Sequence, residues 1–425
     1  MSSKTLRSSL TLVLSAMILA GCANYSGLDT QGKNLDAKSL KAGQSLNGVT
    51  LSPAAWPKSD WWTSLGDPQL DGLIREALRD SPDMQIAAAR AHQASAAAYA
   101  ADAERYPTLD ASAGISRSRL AKDQDPLGQG DAYATVRNIS AGFNYNFDLW
   151  GGQRDAWEAA LGQARAAEVD RQAAQLTLAA DVARAYSDLG QAHIVYDLAS
   201  DDLKRTRQML DLSQRRLSAG IDSQYQLQQT QSLEASSEAS LIDAEKRLSS
   251  AKIALAVLLG KGPDRGSEIA RPKVLQASAV AVPSVLPAEL LGRRPDLVAA
   301  RWRVEAASKD IDSAKTRFYP NLNLTASAGA ESLLGDAMFG SASRFFSIAP
   351  TISLPIFDGG RLRANLDSRD ADYDLAVAQY NKSLVKALGD VSDTINQLRD
   401  IGRQIGAQQH ATDIAQDSYN TVVQR

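Results

Sequence analysis

Residues 138–149 read Asn138-Ile139-Ser140-Ala141-Gly142-Phe143-Asn144-Tyr145-Asn146-Phe147-Asp148-Leu149. In an extended chain Ile139, Ala141, Phe143, Tyr145, Phe147 and Leu149 share one face, and Ser140, Gly142, Asn144, Asn146 and Asp148 share the other. Three other stretches carry the same alternation. Leu109, Ala111, Ala113 and Ile115 alternate with Thr108, Asp110, Ser112, Gly114 and Ser116. Leu322, Leu324, Ala326 and Ala328 form a third apolar row, and Phe346, Ile348, Pro350, Ile352, Leu354 and Ile356 a fourth. The spacing predicts strands over about 108–117, 138–149, 321–330 and 345–357, of a length that suits a bilayer-crossing strand. A half-buried sheet in a soluble domain shows the same alternation. What separates the two is closure: four strands cannot close a barrel, and an open edge in lipid leaves amides unpaired at high cost. Several chains are therefore expected to donate strands to one barrel. Pro350 has no N–H for a ladder, so its place is expected to be a strand end, an edge or a bulge.

The strands sit inside a duplication. Ser81-Pro82-Asp83 and Tyr106-Pro107 recur as Arg294-Pro295-Asp296 and Tyr319-Pro320, and Gly151-Gly152 recurs as Gly359-Gly360. Asp181-Val182 with Leu189 recurs as Asp390-Val391 with Leu398. Each copy reads helix, two strands, long helix, with residues 66–260 as the first copy, 261–287 as a connector rich in Gly, Pro and Val, and 288–425 as the second. Residues 152–217 contain no proline and predict one helix of about 100 Å at 1.5 Å per residue. Leu178, Val182, Ala185, Leu189, Ala192, Tyr196, Ala199, Leu203, Thr206, Leu210, Ser213 and Leu217 step alternately by four and three, which is a coiled-coil seam. Leu241, Ala244, Leu248, Ala251, Leu255 and Leu258 continue it on an antiparallel partner over about 222–260. Gly162 and Gly190 each weaken a helix by about 1 kcal/mol relative to Ala, so either is a candidate point for a break or bend. Between the two helices, Gly220 suits a left-handed stop and Asp222 or Ser223 a cap for the next start. Arg216, Ser218, Ala219, Gly220, Ile221 and Asp222 thus read as a hairpin turn, or as a docking tip presented by that turn.

The first residues are an address. Lys4 and Arg7 precede an apolar run over 10–20 that is too short to span a bilayer, giving a signal segment over 1–21. Leu19, Ala20, Gly21 and Cys22 resemble a bacterial lipobox, in which the thiol takes a diacylglyceryl group; the alternative is an ordinary secretory signal. The chain's one cysteine falling at this spot favours lipidation of Cys22, with 22–65 as a lipidated N-terminal segment and Ala23 implying sorting to the outer membrane. Two or three acyl chains anchor stably.

Composition narrows the remaining choices. With 46 Lys+Arg against 49 Asp+Glu the net charge is −3 and no basic block stands out, so nucleic acid is not an expected partner. His92, His193 and His410 are isolated, and with one cysteine no metal-ligand pair is expected. Gly260-Lys261-Gly262-Pro263 lacks the spacing of a phosphate loop and reads as a helix exit. The scattered carboxylates give no acid–base constellation, so no catalytic residue and no cofactor beyond the lipid on Cys22 is expected.

Several motifs together resemble the outer-membrane factors of tripartite efflux pumps, the TolC-like family, and within it the NodT/OprM-type lipoproteins. They are Trp61-Trp62, Asp67-Pro68 and Leu70; Phe147-Asp148-Leu149-Trp150-Gly151-Gly152; Leu291-Gly292-Arg293-Arg294-Pro295-Asp296-Leu297; and Leu354-Pro355-Ile356-Phe357-Asp358-Gly359-Gly360-Arg361. The resemblance covers nearly all of the chain after Cys22. It implies a mainly α protein with a transmembrane β-barrel: a homotrimer whose three sets of four strands make twelve, continued by a helical tunnel through the periplasm. It implies a passive exit duct for drugs or other small molecules in the outer membrane of a Gram-negative bacterium, with a periplasmic adaptor and an inner-membrane transporter of the resistance-nodulation-division type as partners. In the family the adaptor contacts a Val-Gly-Leu-like tip, where Ala219-Gly220-Ile221 stands here, which favours docking. A protein-secretion exit channel and a non-transporting structural periplasmic lipoprotein are the alternatives. Aligned on the duplication, Arg425 falls opposite Arg216, so the second copy is expected to be truncated, without its own tip, returning helix and gate residues.

Overall fold

A computed structural model describes residues 24–36, 51–52, 60–119, 133–273, 282–283, 293–332 and 338–423. The signal segment, the lipobox with Cys22, residues 274–281 and 284–287 of the connector, and Leu291-Gly292 lie outside the described residues. In chain order the elements are β1 Leu51–Ser52, α1 Pro68–Asp80, α2 Pro82–Ala103, β2 Thr108–Arg119, β3 Tyr133–Phe147, α3 Gly152–Ser218, α4 Gln224–Leu258, β4 Val282–Pro283, α5 Pro295–Thr316, β5 Asn321–Ser332, β6 Arg344–Ser353 and α6 Arg361–Val423. The helix–strand–strand–helix order thus occurs twice, as α2-β2-β3-α3 and α5-β5-β6-α6. No described helix is long and apolar enough to cross a membrane.

The strand boundaries differ from those read off the sequence in an instructive way. β3 begins at Tyr133, five residues before the clean alternation, because Tyr133 to Arg137 pair with Ile115 to Arg119 of β2 whatever their polarity. It ends at Phe147, since Leu149 and Trp150 already belong to the turn into α3. β6 ends at Ser353 and not at residue 357, just before Leu354-Pro355, where the proline offers no donor. Pro350 lies inside β6, which is an outer strand of its sheet and so tolerates the missing donor.

Two compact units are built from interleaved segments, so they do not coincide with the two sequence copies. The first comprises residues 1–40, 92–167 and 297–387. It holds a four-stranded antiparallel sheet of order β2-β3-β5-β6, in which β3 of one copy pairs with β5 of the other over Phe147↔Leu322 to Arg137↔Ser332. Its helical core is Ile311, Ala314, Phe318, Leu362 and Leu366, with Tyr25, Leu28 and Tyr373 packed on it. Gly162 does not break α3. An added Cβ there would sit 3.0 Å from the Ala306 Cβ, so the glycine permits a close crossing of α3 and α5.

The second unit comprises residues 41–91, 168–296 and 388–425. α1 starts on Pro68 with Asp67 as its cap, the carboxylate accepting from the amides of Gln69 at 2.8 Å and Leu70 at 3.2 Å. Leu70, Leu73, Ile74 and Ala77 of α1 are buried against Leu178, Val182, Tyr186 and Leu189 of α3 and Leu255 of α4. The Tyr186 hydroxyl donates to Asp67 at 2.8 Å and accepts from Gln69, and burial followed by the Asp67 bond pushes its pKa up to about 12. Trp62 donates from its indole nitrogen to Asp71 at 3.0 Å. The Trp-Trp and Asp-Pro motifs therefore do packing and capping. Each position of the expected seam on α3 and α4 is buried or half-buried. Gly190 also stays helical, with Pro272 of the connector close above it. The connector is not a free link at its start: a 3-10 turn over Pro263–Glu268 packs on α4, and Ile269 enters the core.

Candidate functional site

The four-stranded sheet is the first candidate. Its register aligns the apolar residues into rows that cross all four strands, such as Leu109, Phe143, Ala326 and Ile348, and below them Tyr145, Leu324 and Pro350. The polar rows are aligned equally well. Ser112 and Ser140 hydroxyls lie 2.9 Å apart, Ser327 and Ser347 hydroxyls 3.0 Å, and Asn321 donates to the Asn146 side-chain oxygen at 2.7 Å. Among the described residues the apolar face is open on its outer strands, where Leu109 is 75 % exposed, Ile348 70 % and Phe346 84 %. A soluble domain would bury such a face, so a contiguous uncovered face marks a surface made for lipid or partner.

At the helix-side end of the sheet the chain turns from strand to helix twice, by the same device. Asp148 accepts from the amides of Gln153 at 3.0 Å and Arg154 at 2.9 Å, which caps α3. Asp358 accepts from Gly360 at 3.0 Å and Leu362 at 2.8 Å, which caps α6. Gly151, Gly359 and Gly360 have φ of 80°, 69° and 88°, a region where L side chains are strained. Aromatic side chains collect beside these joints. Trp150 stacks on Tyr319 with ring centroids 4.9 Å apart and donates to the Pro320 carbonyl at 2.7 Å, while Tyr25 packs edge-on against Phe318. Aromatics at a strand end next to an apolar band are placed as in the girdle of a membrane barrel.

The helical hairpin supplies the second candidate. α3 stops at Ser218, Gly220 takes φ 75°, and the amides of Gly220 and Ile221 return to the carbonyls of Leu217 and Arg216, each at 2.9 Å. Ser223, not Asp222, caps α4, in a reciprocal box with Gln226. Asp222 instead accepts from the Arg216 Nε at 3.0 Å and braces the turn. Arg215 pairs with Asp211. Arg216, Ser218, Ala219, Gly220, Ile221 and Asp222 are thus brought together in one turn, with Ile221 66 % exposed at its apex. Arg216 acts within the turn as its brace. Leu19, Ala20, Gly21 and Cys22 lie outside the described residues. Three features escaped the reading of the sequence: the capping role of Asp148 and Asp358, the Trp150–Tyr319–Tyr25 contacts, and the arginines Arg117, Arg119, Arg137 and Arg344 on the apolar side of the strands. The last had a visible signal, a charge on the apolar step of an alternating run.

A two-faced sheet with an open apolar side, joined by capped turns to long helices, defines an outer-membrane channel subunit of mixed strand and helix. Residues 73–261 and 286–425 match the family described as outer membrane efflux protein, and the chain belongs to that family. It is 35% identical over 372 residues to the fusaric acid resistance protein FusA of Burkholderia cepacia, covering 85% of this chain and 69% of the relative. It is 30% identical over 391 residues to the multidrug resistance outer membrane protein MdtP of Escherichia coli, covering 89% and 78%. Among solved structures, the outer membrane protein VceC of Vibrio cholerae aligns with a TM-score of 0.74 at 34% identity, covering 81% of this chain and 82% of that one. The protein is therefore an efflux channel component of a Gram-negative outer membrane, with the TolC-like fold expected from its motifs.

Proposed function

We propose that three copies of the chain close one barrel, each donating β2, β3, β5 and β6, and that the long helices continue the barrel as a tunnel on the periplasmic side. One observation carries this reading: the sheet has an exposed apolar face and, among the described residues, β2 and β6 each have only one neighbour. Closure by further copies satisfies both edges and gives the apolar face a lipid surround. The Ser, Asn and Thr rows then line the lumen, as a water-filled pore needs. The duct is passive and carries no catalytic chemistry; its cargo is small organic molecules, in keeping with the resistance functions by which FusA and MdtP are named.

The anchor is a lipid on Cys22. Cys22 stands three positions before Tyr25 in the chain. Tyr25 in turn sits at the girdle, its hydroxyl 2.9 Å from that of Tyr319 just before β5. Acyl chains attached there would enter the same leaflet that the girdle marks. The tip formed by residues 216–222 docks a periplasmic adaptor, which links the duct to an inner-membrane transporter of the resistance-nodulation-division type. Ile221, held outward by the Gly220 turn and the Arg216–Asp222 brace, is its apolar contact.

Deletion of the gene followed by a compound-susceptibility panel tests the proposal. Raised susceptibility on deletion, reversed by the wild-type gene but not by Ile221→Asp, with both proteins present at equal level in the outer membrane, is the expected result. Cys22→Ser is expected to lose labelling by radioactive fatty acid. An Ile221→Asp variant that complements fully removes the docking assignment, and unchanged susceptibility on deletion removes the duct.

A further inference from the structure

The four strands of the sheet contain four basic residues and two carboxylates, and the register sorts them by face. Arg117, Arg119, Arg137 and Arg344 all fall on the apolar face, two-residue steps from Ile115, Ile139 and Phe346. Asp110 and Glu331 fall on the polar face, beside Gly142 and Asn138. A cation would be expected on the watery side, so its placement against the apolar face calls for an anion there.

The arginines are also confined to one end. Arg119 is the last residue of β2 and Arg344 the first of β6, both next to the connections on the side away from the helices. Arg117 stands opposite Thr135, and Arg137 lies between Ile115 and Ser332. Ser332 ends β5 opposite Arg137, four residues short of the Tyr133 end of β3, and the strand ends step down from β2 to β6. The arginines step down with them and follow the rim. Adjacent strands are about 4.8 Å apart and residues about 3.3 Å along a strand, so neighbouring members of this line stand about 7–12 Å apart. The Arg117 guanidinium lies over the Tyr133 ring, 5.0 Å from its centroid, which sets it at the depth where aromatics border a bilayer. On a lipid-facing strand a guanidinium is tolerated near the interface and not at the midplane. Its flat fork of donors fits a phosphate in two bonds.

We propose that Arg117, Arg119, Arg137 and Arg344 form a phosphate-binding rim that holds lipid headgroups of the leaflet on the side of the β2–β3 and β5–β6 connections. The proposal rests on the reading that the apolar face meets lipid. Phosphorylated lipid would then pack against the barrel as a bound collar, its acyl chains on Ile115, Ile139 and Phe346 and its phosphates on the arginines.

The full-length protein in mild detergent, titrated with diphosphoryl lipid A, monophosphoryl lipid A and phosphatidylcholine and read by native mass spectrometry, tests it. Wild type is expected to keep the diphosphoryl lipid in preference to the other two. The triple variant R117Q/R137Q/R344Q is expected to bind it about tenfold more weakly or worse, and the matching Lys variant to fall between. These side chains are on the sheet surface, and circular dichroism of each variant checks that the fold is kept. Equal retention of phosphatidylcholine, an unchanged triple variant, or full displacement by inorganic phosphate at a concentration matching the lipid would overturn the rim. Planar-bilayer conductance separates the two readings: a wild-type protein that conducts but shows no phosphate preference sinks the rim alone, whereas one that never inserts sinks the lipid-facing sheet with it.

Discussion

Tyr25 and Tyr319 meet hydroxyl to hydroxyl at 2.9 Å although 294 positions separate them. The contact begins a strap. Asp374 of α6 accepts from the amides of Gln31 at 3.0 Å and Gly32 at 2.6 Å, and Asn381 takes the Leu35 amide at 2.8 Å while donating to the Lys33 carbonyl. A Cβ on Gly32 would stand 2.9 Å from the Asp374 carboxylate and 3.1 Å from the Val377 Cβ, so any larger residue would press the strap away from α6. Asp374→Ala is expected to speed hydrogen exchange at Gln31 and Gly32 by about tenfold, the loss of roughly one charge-assisted bond. Exchange by mass spectrometry reads this, and unchanged protection would remove the strap.

Gly162 is a crossing point, and its neighbour Ala306 has no room to yield to a branched side chain. Gly162→Val should cost about 1–3 kcal/mol by overpacking. Gly389 of α6 faces open space, so Gly389→Ala should instead gain about 0.5–1 kcal/mol of helix propensity. Opposite shifts in melting temperature are the check; shifts of one sign would mean the crossing is not tight.

Asp370 is buried, and one of its carboxylate oxygens has no hydrogen-bond partner among the described residues. Burial raises its pKa, Lys315 opposes the rise, and Asp367, Asp374 and Asp29 add to it. The folded pKa lies above the unfolded one, so the folded state binds more protons and this group's contribution falls as pH rises from the unfolded value through the folded one. Asp370→Asn should therefore melt higher than wild type at pH 7, by about 2 °C for each kcal/mol removed, with the difference shrinking as pH falls towards about 4 and absent below it. A gain that is independent of pH would assign it to packing.

The cap at Asp358 carries two amides of the first turn of α6. Its replacement by Ala is expected to cost about 1 kcal/mol, and by Asn markedly less, since an amide oxygen still accepts. Guanidinium unfolding of the two variants gives the comparison; equal losses would show that charge at the helix start matters more than the bond.

Period decided what could be read in advance. The alternation at 138–149 and the seam from Leu178 to Leu217 are regular enough to reveal strand and coiled coil, and both lie where the rows put them. Tyr133 to Arg137 joined β3 because a partner strand was present, and pairing with β2 is not written in their own polarity. That α3 runs unbroken through Gly162 and Gly190 was hidden for a similar reason. A glycine's cost to an isolated helix is local, while the benefit of a close crossing lies in a distant residue. The strap has no period at all; its bonds run from backbone amides to Asp374, and backbone amides look alike in any sequence. At the tip, Gly220 announced the turn, but the choice between Asp222 and Ser223 as cap depended on Arg216 claiming Asp222.

The pairing of β3 with β5 sets a timetable for the newborn chain. Phe147 leaves the ribosome 185 residues ahead of Ser332, a lag of roughly ten to forty seconds at ordinary elongation rates. Until the later stretch arrives, the earlier hairpin exposes a bare edge and a greasy flank to whatever it meets. The order of synthesis thus leaves that edge without its partner for the whole interval, a hazard set by topology and not by any contact in the finished molecule.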